Sequence, residues 1–564
     1  VTSAHATPDP ATADRLREAT SRWGTPLYVT DLDAVALNLA AFQAAFPGAL
    51  IAYAVKANTD PRLLARLAAS GAGAEVVNEV ELALARRAGI AGERIVMNGV
   101  GKTDRDHEAA RRVDALVNAE SLAELDILLA AAPGRLGLRL NVGLEPDTHA
   151  HLATGATDSK FGISLADLDL ALDRCRAAGR RLECVGAHVG SAIDEPSTFA
   201  TLAGRLAEAE ARAGVSRIDL GGGAGTTITP AALANAVCPH LPDGVSLVLE
   251  PGRRLVADAG WLLTRITRAQ PRSAANLTYL VADAGMAEFI RPALYGADHP
   301  VTLLEPGQAL PEDAGTVHLA GPVCEAGDIV VHDIGRSLSA NDLRLSGSGA
   351  LVAIGQAGAY GAAMASVYNG RPRPAEAVID AGHLQLSRHR ETAEQLVERD
   401  ADVYDRAPAA LAERVREGMT IALYLSLSLL AVMVAFEDPS HPDTTGTARL
   451  VLVTGIGLLL AHLLAFQMSS RFVSGGERRG HYVSLVGAQL AGGAVVMALA
   501  IVPMLLLGSW PGLLVAEIAL LTLISGVGYV TARASGYGRI RALLYVGGVI
   551  ALTVVVLWVK GLAH

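Results

Sequence analysis

Cysteine is scarce. Cys175, Cys184, Cys238 and Cys324 are the whole complement of a 564-residue chain, irregularly spaced and without a Cys-x-x-Cys pair. That argues against a disulfide framework and a paired-cysteine metal site, fits a reducing compartment, and calls for no metal. Positive charge is not in surplus either. With 47 Lys and Arg against 57 Asp and Glu, the formal net charge is −10, and no nucleic-acid surface is expected. The opening stretch VTSAHATPDPATADRLREA lacks the apolar core of a secretory signal, and Val1 points to an alternative initiation codon or a trimmed chain. Charge is nearly absent inside the long apolar runs of 418–560, whereas 1–417 mixes charged and apolar residues in the ordinary globular way. Length and this change of texture call for more than one domain.

Within the mixed part, Lys56 stands out. An apolar run, LIAYAV over 50–55, delivers one lysine, and a polar turn follows. Lysine is rarely buried unless paired or chemically used, and desolvation is expected to lower its pKa toward a nucleophilic amine. A strand-end lysine snorkelling to solvent fits the same residues, so the surrounding pattern has to decide. Eight short apolar or β-branched runs (50–56, 74–78, 94–98, 115–118, 136–142, 183–189, 217–220 and 245–250) alternate with Ala/Leu/Arg-rich segments at helical spacing, such as 61–70, 80–89 and 165–179. Alternation predicts a parallel sheet, and eight units predict an α/β fold of the closed (β/α)8 TIM type, with catalytic groups at the C-terminal strand ends. Lys56 follows the first run, Arg139 lies near the end of the fifth, His188 at the sixth, Gly221-Gly222-Gly223 after the seventh, and Glu250 ends the eighth. After about 275, short strand-like runs between Gly/Pro/Asp turns predict an all-β domain, which the strand near 27–30 could join.

Taken singly, these residues allow plain readings. A glycine-rich turn before a helix offers backbone N–H groups to a phosphate, but most such turns only turn. The Glu250-Pro251-Gly252-Arg253 stretch could hold a surface ion pair, and a strand-end His188 could be a satisfied core histidine.

Together they resemble the group IV, alanine-racemase-like (fold type III) decarboxylases that use pyridoxal 5'-phosphate (PLP), above all the diaminopimelate decarboxylases. The resemblance covers about 25–400. It rests on TPLYVTD (25–31), YAVKAN (53–58), TGATDSKFGI (154–163), HVGS (188–191), GGG (221–223) and EPGR (250–253). It continues through DAGMAEFIRPALYGADH (283–299), GPVCEAGD (321–328) and GAYGAAMASVYN (358–369). The resemblance implies that Lys56 bonds the cofactor and that His188 stacks on its ring. Glu250 would keep the ring nitrogen protonated, a stronger electron sink; racemases of this fold place an Arg there. Ser191, Gly221, Gly222, Gly223, Gly252 and Arg253 would hold the phosphate end, and Tyr360 would line the pocket. Arg291 and Tyr295 would take the substrate's distal carboxylate, with Arg253 and Tyr360 also within reach of substrate. Cys324 and Glu325 would come from a neighbouring subunit, Cys324 near the reacting carbon and Glu325 on the second ammonium, which makes a homodimer with shared sites obligatory. The catalytic set is therefore Lys56, His188, Glu250 and Cys324.

The sequence departs from the family pattern at the rim. The usual Ser-Gly-Gly before Glu-Leu reads Asn78-Glu79-Val80, the usual Gln after HIGS is Ala192, and the HGNNK-like run reads Asn98-Gly99-Val100-Gly101-Lys102. These changes bear on substrate more than on cofactor.

Five apolar runs, about 419–436, 450–468, 483–508, 512–532 and 542–559, predict an all-α transmembrane bundle. Arg406, Arg414 and Arg416 precede the first run. Arg471, Arg478 and Arg479 lie between the second and third, and Arg533, Arg539 and Arg541 between the fourth and fifth. Positive charge stays inside, which places the catalytic part in the cytosol and the C-terminus outside a cytoplasmic membrane. His462 and Glu517 are ionisable groups within runs, open to a transport role or to simple hydrogen bonding and snorkelling. Pro503 is expected to kink the third span.

The expected organisation is a β domain from 1–32 and 276–400, a PLP barrel over 33–275, a polar linker with some helix over 401–417, and a membrane domain of about five helices over 418–560. The expected activity is decarboxylation of meso-diaminopimelate to L-lysine and carbon dioxide, a lysine-biosynthesis step, by an enzyme tethered to the bilayer. Three alternatives stand beside it: a decarboxylase of another amino acid or of a siderophore or antibiotic intermediate; a transporter or export component with an attached decarboxylase; and a fusion of neighbouring reading frames. A non-catalytic regulator would have lost Lys56 or Glu250.

Overall fold

The computed structural model describes residues 8–144, 155, 158–399, 401–434, 444–473, 479–534 and 537–561. The chain divides into two compact units, 1–396 and 397–564.

In the first unit, eight parallel strands close into a barrel. They are Leu50–Ala54, Gly73–Val76, Ile95–Met97, Leu116–Ala119, Leu136–Asn141, Cys184–Gly186, Arg217–Asp219 and Ser246–Leu249. Each pairs with the next, and Val248 opposite Leu50 completes the ring. Strands covered on both faces read as continuous apolar runs, which is why the eight runs were visible as such. The strands are shorter than the runs. Lys56 lies in the 3-10 turn Val55–Ala57, while His188 and Glu250 fall just past their strands. Helices pack outside, and their starts follow from local caps. Asp60 accepts the N–H groups of Arg62 and Leu63, and Thr103 and Asp106 form a reciprocal capping box. The altered Asn78 also caps: its side chain accepts the Glu81 N–H at 2.9 Å, so Asn does there what Ser would.

The second part of this unit is a nine-stranded sheet. Leu27–Asp31 pairs antiparallel with Gly260–Arg272 and parallel with Ala375–Asp380, so the N-terminal strand does join it. Side chains alternate along Gly260–Arg272. Leu262 and Ile266 pack with Tyr28, Phe289 and Ile354 on one face, while Trp261 and Leu263 pack with Leu16 and Leu351 on the other. Leu16 belongs to the helix Pro10–Trp23, started by Asp9 and Pro10, an element the sequence reading left unassigned.

The second unit comprises five helices, Ala401–Val434, Thr444–Val473, Arg479–Leu507, Ser509–Ala534 and Arg539–Gly561. The stretch read as a linker, 401–417, is helical throughout and continuous with the first apolar run. Among the described residues, four helices are long and apolar enough to cross a membrane, within Glu413–Met433, Thr445–Phe466, Leu485–Leu507 and Pro511–Arg533. The fifth expected run, 542–559, falls in the last helix and lies partly outside the residues whose side chains are described. Leu425, Met433, Val496, Ala500 and Leu520 are buried between helices, whereas Leu460, Leu464, Leu505 and Leu506 face outward. Outward leucines on several helices leave an exposed apolar surface. A Cβ at Gly492 would collide with the Gly418 carbonyl, so the first and third helices cross at a small-residue contact. Pro503 lies inside the third helix, which runs on to Leu507.

Leu64, fully buried between the helix Pro61–Ala69 and the barrel, gives a direct check on this packing. Leu64→Ala is expected to cost about 2–5 kcal/mol, read as a lowered urea midpoint in pulse proteolysis of the full-length chain. An unchanged midpoint would place Leu64 outside the core.

Candidate active site

Loops at the C-terminal ends of the barrel strands form a cleft. Lys56, His188, Ser191, Gly222, Gly223, Glu250, Gly252, Arg253 and Tyr360 line it together, and Gly221 lines the cavity that adjoins the same glycine turn. The lysine and the acid, 194 positions apart in the sequence, therefore face one space.

The Lys56 side chain is 38% exposed toward the cleft, and its Nζ lies 2.8 Å from Oε2 of the fully buried Glu75. Desolvation pulls the ammonium down, but Glu75, then Tyr360 and Glu250, outweigh it, so the pKa is raised. This reverses the expectation of a lowered value. Burial alone was visible from the apolar run; the counter-charge comes from the second barrel strand. Glu250 is buried too. Burial, then repulsion from Asp219 and Glu75, push its carboxyl well above the ordinary range, with Lys56 opposing. Asn98 joins the two acids: its amide nitrogen donates to Glu250 Oε1 at 2.6 Å and lies 3.4 Å from Glu75 Oε1. Asn118 in turn donates to Asn98 Oδ1 at 3.0 Å.

His188 is neutral. Burial, then Arg139 and Lys56, hold its pKa well below the ordinary value, and its Nδ1 accepts the Gly222 N–H at 3.1 Å. The glycine turn is a cradle. A Cβ at Gly222 would collide with the Glu250 carbonyl, and Gly223 has φ +110°, a conformation that other residues avoid. Arg253 Nη2 donates to Ser191 Oγ at 3.2 Å, while its buried Nε has no partner among the described residues. Above the cleft, the guanidinium groups of Arg253 and Arg291 lie 5.1 and 5.9 Å from the Tyr360 ring centre, and Arg291 lies 5.5 Å from the ring of Tyr295. Arg291 is buried, its Nε has no hydrogen bond among the described residues, and desolvation together with Arg253 lowers its pKa to about 10. Such a guanidinium is short of an anion.

Cys324 and Glu325 are exposed and do not line the cleft of their own chain. The Cys324 N–H donates to Asn369 Oδ1 at 3.3 Å, and Glu325 accepts the Tyr368 hydroxyl. The motif at 154–163 lies partly outside the described residues. Glu75, Asn98, Asn118 and Asp219 were missed as site residues. Each is a single polar residue in or just past a short apolar strand, which carries no local signature; the closed barrel is what brings them together.

The residues fit PLP: a phosphate cradle with an unpartnered arginine nitrogen, a neutral imidazole, and an amine and an acid facing one space. The fold and this cleft define a fold type III, PLP-dependent carboxy-lyase. Residues 32–257 match the family described as pyridoxal-dependent decarboxylase, pyridoxal binding domain. The diaminopimelate decarboxylase of Deinococcus radiodurans is 39% identical over 383 residues, covering 68% of this chain and 97% of that protein. The Aquifex aeolicus diaminopimelate decarboxylase is 35% identical over 409 residues, with 69% and 94% covered. The crystal structure of diaminopimelate decarboxylase from Helicobacter pylori complexed with L-lysine superposes with a TM-score of 0.63 at 29% identity, over 69% of this chain and 99% of that one. The chain belongs to the diaminopimelate decarboxylase family, and its cofactor is PLP.

The raised Glu250 pKa gives a pH test. A carboxyl with a raised folded value contributes stability while protonated, below the ordinary carboxylate range, and loses it as pH rises through the folded value. In cofactor-free protein, Glu250→Gln is therefore expected to raise Tm more at about pH 8 than at about pH 5. An equal change at both pH values would contradict the assignment.

Proposed function

We propose that the chain decarboxylates meso-diaminopimelate to L-lysine. The observation that carries this reading is one cleft lined by Lys56, Glu250 and Tyr360, with the buried Arg291, its Nε without a hydrogen bond among the described residues, set against the Tyr360 ring. The names of the relatives, and the L-lysine in the Helicobacter pylori structure, support the substrate.

Bound PLP supplies the electron sink for the pair left when carbon dioxide departs. The protein does the rest. Lys56 carries the amine that bonds the cofactor, and Glu75 accepts a hydrogen bond from it. Glu250 holds a proton at the ring nitrogen, and Asn98 orients its carboxyl. His188 would stack on the ring of bound PLP, while Ser191, Gly221, Gly222, Gly223, Gly252 and Arg253 would hold its phosphate. Arg291 and Tyr295 take the distal carboxylate, with Tyr360 between the two arginines. The Cα–carboxylate bond breaks, carbon dioxide leaves, and a proton replaces it at Cα. Cys324 of a second copy delivers that proton, and its Glu325 holds the distal ammonium. Their exposure in a single chain supports a homodimer with shared sites.

The C-terminal unit, with four helices of spanning length and leucines facing outward, supports a membrane tether. The arginine pattern of its loops supports a cytosolic catalytic part. We take 33–275 as the PLP barrel, 1–32 with 276–400 as the β domain, 401–417 as the helical connection and 418–560 as the membrane domain.

The test is carbon dioxide release from a panel of diamino acids by the full-length protein, with Lys56→Ala alongside. Turnover of meso-diaminopimelate is expected, and Lys56→Ala should lose both turnover and the absorbance of lysine-bound cofactor. Turnover of another amino acid alone would overturn the substrate. A wild-type protein that takes up no PLP would overturn the chemistry.

A further inference from the structure

Apart from the catalytic cleft, the barrel wall holds a second cavity, of about 300 Å³, between the helices Asp104–Arg112 and Leu122–Ala130. Its floor is apolar, formed in part by Val117, Leu128 and Leu136. Two polar groups in its lining lack partners among the described residues. His107 is nine-tenths buried; its Nε2 lies 2.9 Å from Glu124 Oε1, and its Nδ1 has no hydrogen bond. An ionised carboxylate only accepts, so in the neutral imidazole Nε2 carries the hydrogen and Nδ1 offers a lone pair. Arg111, one turn further along the same helix, makes no ion pair. Of the other charged groups in the lining, Glu108 pairs with Arg112, Arg135 with Glu183, and Arg180 donates to the carbonyls of Leu128 and Gly134, while Asp104 is exposed in the first turn of the helix. The lining therefore calls for an N–H donor and an anion about 6 Å apart along the helix, on an apolar body.

His107 is also the outer end of a continuous path to the catalytic acid. Glu124 Oε1 lies 3.0 Å from Lys102 Nζ, and Lys102 donates to the Asn118 carbonyl at 3.0 Å. The Asn118 side chain donates to Asn98, and Asn98 to Glu250.

We propose that this cavity is an effector site for an α-amino acid with an apolar side chain. The ammonium donates to His107, the carboxylate meets Arg111, and occupancy reaches Glu250 through that path. The test is calorimetry on the PLP-loaded full-length protein with L-leucine, with 4-methylpentanoate, which lacks the amine, and with isopentylamine, which lacks the carboxylate. Saturable L-leucine binding at roughly 1 mM or tighter is expected, about tenfold tighter than either control. Arg111→Glu, at an exposed position, should weaken it about tenfold. L-Leucine should shift the absorbance of bound cofactor in the wild type and not in the variant. No saturable binding, binding undiminished by Arg111→Glu, or binding without an absorbance change would each overturn the proposal.

Discussion

Everything at the catalytic end of the barrel depends on one ammonium held among buried carboxylates. Lys56 meets Glu75 directly, and Glu250 sits close to both Glu75 and Asp219. Opposite charges attract strongly in so dry a setting, and like charges cannot all ionise there. The cluster therefore keeps protons that isolated carboxyls would lose. Asn98 separates the two acids it touches and fixes where the Glu250 carboxyl points. In the proposed function, an acid so placed would keep the ring nitrogen of bound PLP protonated, which is the electronic requirement of decarboxylation.

The barrel brings these groups together only because it closes. Strands one, two, three, seven and eight each contribute a polar residue at or beyond their C-terminal ends, and the neighbouring sheet supplies the cover. The Tyr360 N–H donates to the Ala57 carbonyl at 2.7 Å, tying the covering loop to the turn that carries Lys56. Arg253 and Arg291 then approach the same Tyr360 ring. The two guanidinium groups are thus spaced by one aromatic side chain.

Much of this was legible from residue order. The barrel could be read because strands buried on both faces must be apolar, and Lys56, His188, the glycine turn and Glu250 could be read because each interrupts or ends such a strand. Glu75, Asn98 and Asp219 were not, because a single polar residue in a short strand has no local signature and acquires a role only across the closed ring. Asn98 and Glu250 are 152 positions apart. The direction of the Lys56 shift was misread for the same reason. The five apolar runs were readable by length, and some helix was expected over 401–417, but not that it runs unbroken into the first apolar run, since its charged residues suit a linker and a helix extension equally.

The most direct measurement is the nitrogen-15 chemical shift of ring-labelled PLP bound to the protein. A protonated ring nitrogen in the wild type, lost in Glu250→Ala, is the predicted result. An unprotonated nitrogen in the wild type would contradict the account, because the buried acid would then hold no proton where the chemistry needs one.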